Sequence, residues 1–199
     1  MKAQTTVGAR SFAATFRRAV LLLLVGVTSR ADLYVSTNGN HTTGADWATA
    51  FTNIQDALDE AASNDTIHLA GHTFALTNQL AWTNSFLTIR GGYQADPAKV
   101  LPGENDPEQW PTVLERTGAS DHRILFVENL EDGRLQNITL RNGYLYGTVY
   151  RGGLYANNSS GLILDGCIVE NNKLDHKDNQ HPKGAGMYFI NSRAVITNS

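Results

Sequence analysis

From Asp65 onward, apolar residues fall in short runs, each closed by Gly, Asn, Asp or Ser. The runs are residues 66–69, 86–89, 112–114, 124–127, 135–140, 162–164, 167–169, 187–190 and 195–197. Runs of this length with turn residues between them predict β-strands. The stretch before Asp65 reads differently. Leu33-Tyr34-Val35 predicts a short strand, ended by the turn-rich residues 36–40. Ile54, Ala57, Leu58 and Ala61 then fall at i, i+3, i+4 and i+7, one face of a helix over about residues 53–62. Thr52 with Gln55 predicts a capping box, and Ser63-Asn64-Asp65 ends the helix.

Upstream of these elements the pattern is that of an export segment. Lys2, Arg10, Arg17, Arg18 and Arg30 are the only charges in residues 1–31, and residues 19–27 are an unbroken apolar run. The run is too short for a bilayer span, which needs about 20 residues, but it suits the apolar region of a secretory signal. Ser29 and Ala31 are small residues in the positions that a signal peptidase reads, so cleavage is expected after Ala31. An uncleaved N-terminal anchor is the alternative. No later run is apolar enough to cross a membrane as a helix. The expected organisation is therefore a signal peptide over 1–31, a strand and capping helix over 32–65, and repeated strands over 66–199.

A β-sandwich and a solenoid both give many short strands; internal repetition separates them. Leu135-Gln136-Asn137-Ile138 is echoed by Leu164-Asp165-Gly166-Cys167 and by Ile196-Thr197-Asn198-Ser199, at spacings of 29 and 32. Leu140-Arg141-Asn142 is echoed by Val169-Glu170-Asn171, and Gly153-Leu154-Tyr155 by Gly186-Met187-Tyr188, 33 residues on. A helix-free unit of about 30 residues describes one coil of an all-β solenoid, whose inward side chains are buried only by stacking on the next coil. Stacking places Asn142 over Asn171, so an amide ladder is expected there.

Composition now acquires a meaning. The 199 residues include 18 Gly and 17 Asn with only 5 Pro, suited to corners and ladders. Net charge is -3, but after removal of residues 1–31 the chain holds 11 Lys+Arg against 19 acidic groups, a net -8. That balance argues against nucleic acid as a partner. The single Cys167 excludes an internal disulfide, and its apolar neighbours predict a buried thiol.

Tyr34-Val35, Trp47-Ala48-Thr49-Ala50-Phe51, Ile54-Gln55-Asp56-Ala57-Leu58 and Asp65-Thr66-Ile67 resemble the N-terminal cap and first coil of secreted right-handed parallel β-helix proteins of the pectate-lyase-like type. Leu87-Thr88-Ile89-Arg90-Gly91-Gly92-Tyr93 and the strands after it continue the resemblance in order. The Gly-Gly-Leu-Tyr and Gly-Ala-Gly-Met-Tyr units are similar to repeats of polymorphic outer-membrane proteins and related bacterial surface proteins. The resemblance spans about residues 33–199. It implies a right-handed parallel β-helix with a short N-terminal capping helix, secreted or held at the outer cell surface. It does not choose between lyases, hydrolases, tailspikes and adhesins, which share the architecture.

Candidate chemistry is sparse. A lyase of this fold needs a base and clustered acids that hold Ca²⁺. Glu104, Asp106 and Glu108, and Glu128, Glu131 and Asp132, lie between strands and read as solvated loops. Asp121-His122-Arg123 superficially matches the Asp-His step of pectate lyases, but Ser120 stands where an aromatic residue is usual, so it reads as the start of a coil strand. His176 and His181, with Asp175 and Asp178, are either a transition-metal group or a polar insertion at one corner. Tyr144, Tyr146 and Tyr150 are either rings of a loop packed against the coil or a surface on which sugars stack. The ligand surface expected is thus Tyr144, Tyr146, Tyr150, His176, Asp178 and His181, with no catalytic residue assigned.

Two functions remain. One is an exported scaffold, an adhesin or passenger module that contacts a polysaccharide or host-surface ligand without catalysis and without a cofactor. The other is a polysaccharide lyase or glycoside hydrolase, Ca²⁺-dependent if a lyase, whose active residues lie on coils beyond residue 199. Ser199 falls within a strand-turn repeat, so a truncated C-terminus and self-association through the uncapped last coil are also expected.

Overall fold

The structure, a computed structural model, describes residues 32–147, 152–175 and 184–199. The expected export segment lies outside the described residues. The chain begins with β1 (Asp32–Val35), the helix α1 (Ile54–Glu60), β2 (Thr66–Ala70), β3 (Thr73–Leu76) and β4 (Leu80–Trp82). It continues with β5 (Leu87–Tyr93), β6 (Thr112–Arg116), β7 (Leu125–Glu128), β8 (Gly133–Gln136), β9 (Ile138–Arg141), β10 (Tyr144–Tyr146) and β11 (Leu154–Asn157). Last come β12 (Leu162–Asp165), β13 (Ile168–Glu170), β14 (Lys173–Asp175), β15 (Met187–Ile190) and β16 (Ala194–Thr197).

The fold is all-β with parallel sheets. Three sheets are ordered β1-β2-β5-β8-β12-β16, β3-β6-β9-β13 and β4-β7-β11-β15, and β10 pairs separately with β14. From β2 onward the chain visits the three sheets in the same order on each pass, and every pairing between these strands is parallel. The echoes in the sequence are neighbours in register. Leu135 pairs with Leu164 and Leu164 with Ile196, Leu140 pairs with Val169, and Leu154 pairs with Met187.

Alternation explains the core. Successive side chains of a strand point to opposite faces, so Phe74 and Leu76 are buried while Thr73 and Ala75 are exposed. Inward columns such as Ile67, Ile89, Leu135 and Leu164 stack through the first sheet, each at 3% exposure or less. Burying each such side chain contributes roughly 1.5–3 kcal/mol. Cys167 is inside, as expected, and burial pushes its thiol pKa up. At the β16 edge, Val195 and Ile196 are about half exposed.

The helix covers the first strands with Ile54, Ala57 and Leu58. Its cap is Asn53, whose Oδ1 accepts the Gln55 N–H at 2.9 Å, not the expected Thr52. Gln55 does not reach back to close a capping box. Its carboxamide is held instead by Asp59 and by the backbone of Ala81. Asn84 Nδ2 donates to the Leu58 and Ala61 carbonyls, satisfying acceptors that a helix end leaves open.

Asn takes the corners. Asn137, Gly166 and Asn198 occupy one column with φ of 55°, 63° and 50°, and Asn129, Asn158 and Asn191 another with φ of 58°, 50° and 48°. The left-handed region suits only Gly and Asn at little cost. The run expected over 135–140 accordingly breaks into β8 and β9 at Asn137.

Asn142 and Asn171 share a third corner, with φ of 62° and 52°. The amide ladder expected there takes another form. Asn142 Nδ2 donates to Glu115 Oε1, and the inward amide is that of Asn172. Asn172 Oδ1 accepts the Gly143 N–H at 2.7 Å and its Nδ2 donates to the Leu140 carbonyl at 3.0 Å. A Cβ at Gly153 would stand 2.5 Å from this carboxamide, which is why that position is glycine. An amide-to-amide bond between successive corners forms where Asn191 Nδ2 donates to Asn158 Oδ1 at 3.2 Å.

Candidate functional site

Of the expected ligand surface, Tyr144 and Tyr146 belong to the described residues; Tyr150, His176, Asp178 and His181 lie outside them. Pairing of β10 with β14 sets Tyr144 beside Lys173 and Tyr146 beside Asp175. The Tyr144 ring carries two cations, with the Arg116 guanidinium 5.5 Å and the Lys173 ammonium 5.7 Å from its centroid. Arg116 is itself fixed by the carbonyls of Asn142, Gly118 and Ser120. Lys173 bonds Asp175 at 3.0 Å, and that contact raises its pKa. The half-buried Tyr144 thus serves as a packing platform for cations. Tyr146 is 41% exposed and is the ring of the pair turned to solvent.

At the Asp121-His122 step the histidine is tied to its local backbone. His122 is buried, its Nδ1 lies 2.8 Å from the Arg123 carbonyl, and its own carbonyl accepts the Tyr144 N–H at 3.0 Å. Two of the other candidate acids bond the backbone or a neighbouring strand. Asp106 Oδ1 accepts the N–H groups of Glu108 and Gln109, and Glu128 Oε1 accepts from Asn157 at 3.1 Å.

Polar side chains on the outer faces of the sheets bond from strand to strand. Arg90 donates to Gln136, and Gln136 donates to Asp165. Asp165 also accepts from Thr197 and Asn198, and these bonds, Asn198 first, hold its carboxyl below the usual range. On the second sheet Glu115 pairs with Arg141 at 2.9 Å.

Two features escaped the sequence reading. Phe126, Tyr155 and Tyr188 stack face to face along the third sheet, with centroids 5.4 and 6.2 Å apart and the Arg123 guanidinium over the first two rings. The 33-residue echo of Tyr155 at Tyr188 was the available signal for it. The other is a groove of about 460 Å³ lined by Phe86, Glu131, Asp132, Ser160, Arg193 and Val195. Phe86 is 44% exposed and sits at φ 65°, a conformation rare for an aromatic residue. Its N–H donates to the Asp132 carbonyl at 2.6 Å and its carbonyl accepts from Asn64, and these bonds hold it there. An exposed ring beside two carboxylates and a guanidinium offers a stacking face and planar hydrogen-bond partners.

Comparison of the chain with protein-family models, curated proteins and solved structures returns no match.

Proposed function

We propose that the chain is a right-handed parallel β-helix of an exported scaffold, an adhesin or passenger module at the outer cell surface that contacts glycans without catalysis. The observation that carries this reading is the parallel register, in which strands 29 to 33 residues apart pair in all three sheets. Strand-crossover-strand units of parallel sheets are right-handed almost without exception, which supports the hand. Carboxylates committed to neighbouring strands, as at Glu115, Glu128 and Asp165, favour a scaffold over an acid-base centre. The groove beside Phe86 is the glycan contact, its ring taking a sugar face and Glu131, Asp132 and Arg193 the hydroxyls.

The test is titration of the full chain with oligogalacturonate and with a neutral xylo-oligosaccharide, followed by NMR. Shifts centred on Phe86, lost in Phe86→Ala, are the expected result. Shifts elsewhere, or none with either sugar, overturn the contact. Release of unsaturated product from polygalacturonate with Ca²⁺ overturns the non-catalytic reading. N-terminal sequencing of the exported protein is expected to begin at Asp32.

A further inference from the structure

We infer that the outer edge of β3 is a strand-addition site for an extended, uncharged peptide segment. The opening strand of each sheet has one edge with no full strand partner, and two of the three are closed from within the chain. Along β1, Tyr34 N–H donates to the Gly44 carbonyl, Phe51 N–H to the Tyr34 carbonyl and Ser36 N–H to the Phe51 carbonyl, at 2.8 to 2.9 Å. Along β4, Leu80 N–H is bonded to the Ile124 carbonyl on the β7 side, so Ala81 turns its backbone groups outward. There the Gln55 carboxamide meets them, accepting the Ala81 N–H at 2.8 Å and donating to its carbonyl at 3.1 Å. A side-chain amide stands where a peptide would.

Among the described residues the β3 edge has no such closure. The His72 carbonyl accepts from Val113 N–H and the Leu76 carbonyl from Thr117 N–H, which fixes even-numbered residues 72–76 on the β6 side. The backbone groups of Thr73 and Ala75 therefore face outward, in the position that Ala81 has on β4. Both residues are exposed, and among the described residues no hydrogen bond reaches their outward groups. A groove of about 490 Å³ runs along this edge. That volume falls within the range of about 300–1,000 Å³ usual for ligand sites.

The occupant follows from the edge and the lining. Alternating N–H and C=O groups on a straight edge match an extended backbone, the chemistry of β-augmentation. The lining carries no charge, with Thr37, Thr52, Asn53, Asn78 and Gln79 among its polar residues beyond β3 itself. A charged side chain buried there would have no counter-charge, so the segment is uncharged. A glycan fits less well, because Phe74, the groove's aromatic residue, is buried and offers no face. A second copy of this chain that offered β13, the other edge of the same sheet, would bring Glu170 into this uncharged groove.

Residue-resolved hydrogen exchange by NMR on the full chain tests the site. The probe is an acetylated and amidated Ser-Val-Thr-Val-Asn-Val-Thr peptide. Exchange of the Thr73 and Ala75 amides is expected to slow roughly tenfold or more, while that of Phe74, already in the ladder, stays unchanged. Ala75→Pro removes only an outward N–H, which an edge strand tolerates, and is expected to abolish the protection. The same peptide N-methylated at alternate residues gives no protection, a control that requires no variant. The inference is overturned by unchanged exchange at Thr73 and Ala75, or by equal protection from the N-methylated peptide. Equal slowing by oligogalacturonate, or by raising the protein concentration alone, overturns it in favour of a glycan or a second copy.

Discussion

Gln55 meets Ala81 with both halves of its carboxamide, accepting the backbone N–H at 2.8 Å and donating to the carbonyl at 3.1 Å. One side chain thereby ties α1 to the edge of β4 and satisfies two backbone groups that alternation turns away from β7. Gln55→Ala leaves both groups without their partner and is expected to cost about 1–3 kcal/mol. For a chain of this size that lowers Tm by about 2–4 °C per kcal/mol. Gln55→Glu should recover little, because a carboxylate cannot donate to the Ala81 carbonyl. An unchanged thermal melt of Gln55→Ala would show the contact to be dispensable.

The strand register was legible in the sequence because stacking makes equivalent positions repeat. The spacings of Leu135, Leu164 and Ile196 are those of their pairing. The helix was legible from its apolar face, whereas the role of Gln55 was not, since its partner lies 26 residues away and has no side-chain signature. β3 and β4 were missed because Thr73-Phe74-Ala75-Leu76 offers only two apolar inward residues before a polar turn. Asn142 and Asn171 were correctly levelled, but a shared column does not fix where an amide points, and at φ near 60° the neighbouring Asn172 turns inward instead. The groove at Phe86 joins residues from four passes of the chain, and no local motif encodes that.

Asn171 sits at φ 52°. A β-branched residue there meets the steric cost of the left-handed region, on the order of 1–2 kcal/mol, and glycine does not. Asn171→Val is therefore expected to lower the denaturation midpoint, with Asn171→Gly close to the parent protein. Equal midpoints for the two variants would contradict the backbone assignment.

Tyr34 is 2% exposed, and burial, with Asp32 next, pushes its phenol up to about 12. The folded state thus holds this proton more tightly than the unfolded chain. Its stabilising effect is complete below the ordinary tyrosine pKa of about 10 and is lost as pH rises toward about 12. Tyr93 is raised in the same direction, also chiefly by burial. Urea denaturation of the parent and of Tyr34→Phe at about pH 9 and about pH 11 checks the sign. The parent is expected to lose more stability than the variant between these two values; equal losses would refute the assignment.

Cys167 is 1% exposed, and burial raises its thiol pKa, so both access and thiolate content are low. A water-soluble disulfide reagent is expected to modify it only at the rate of global opening, and the rate should rise with urea in step with unfolding. Rapid modification in native buffer would show that the core around Leu135 and Leu164 opens locally.

Leu135, Leu164 and Ile196 share one column of the first sheet but not one environment. The first two are each 1% exposed, whereas Ile196 is 45% exposed on the edge strand β16. Truncation of a buried leucine removes transfer energy and leaves a cavity, so Leu164→Ala is expected to cost about 2–5 kcal/mol. Ile196 has solvent on one side, and little of either penalty applies, so Ile196→Ala should cost less than about 1 kcal/mol. The same gradient should appear in hydrogen exchange, with the amides of β8 and β12 protected to the global limit and those of β16 exchanging through local opening. Denaturation of the two variants and the exchange profile measure this independently. Similar costs for Leu164→Ala and Ile196→Ala would mean that β16 is covered in solution, and would call for its occupant.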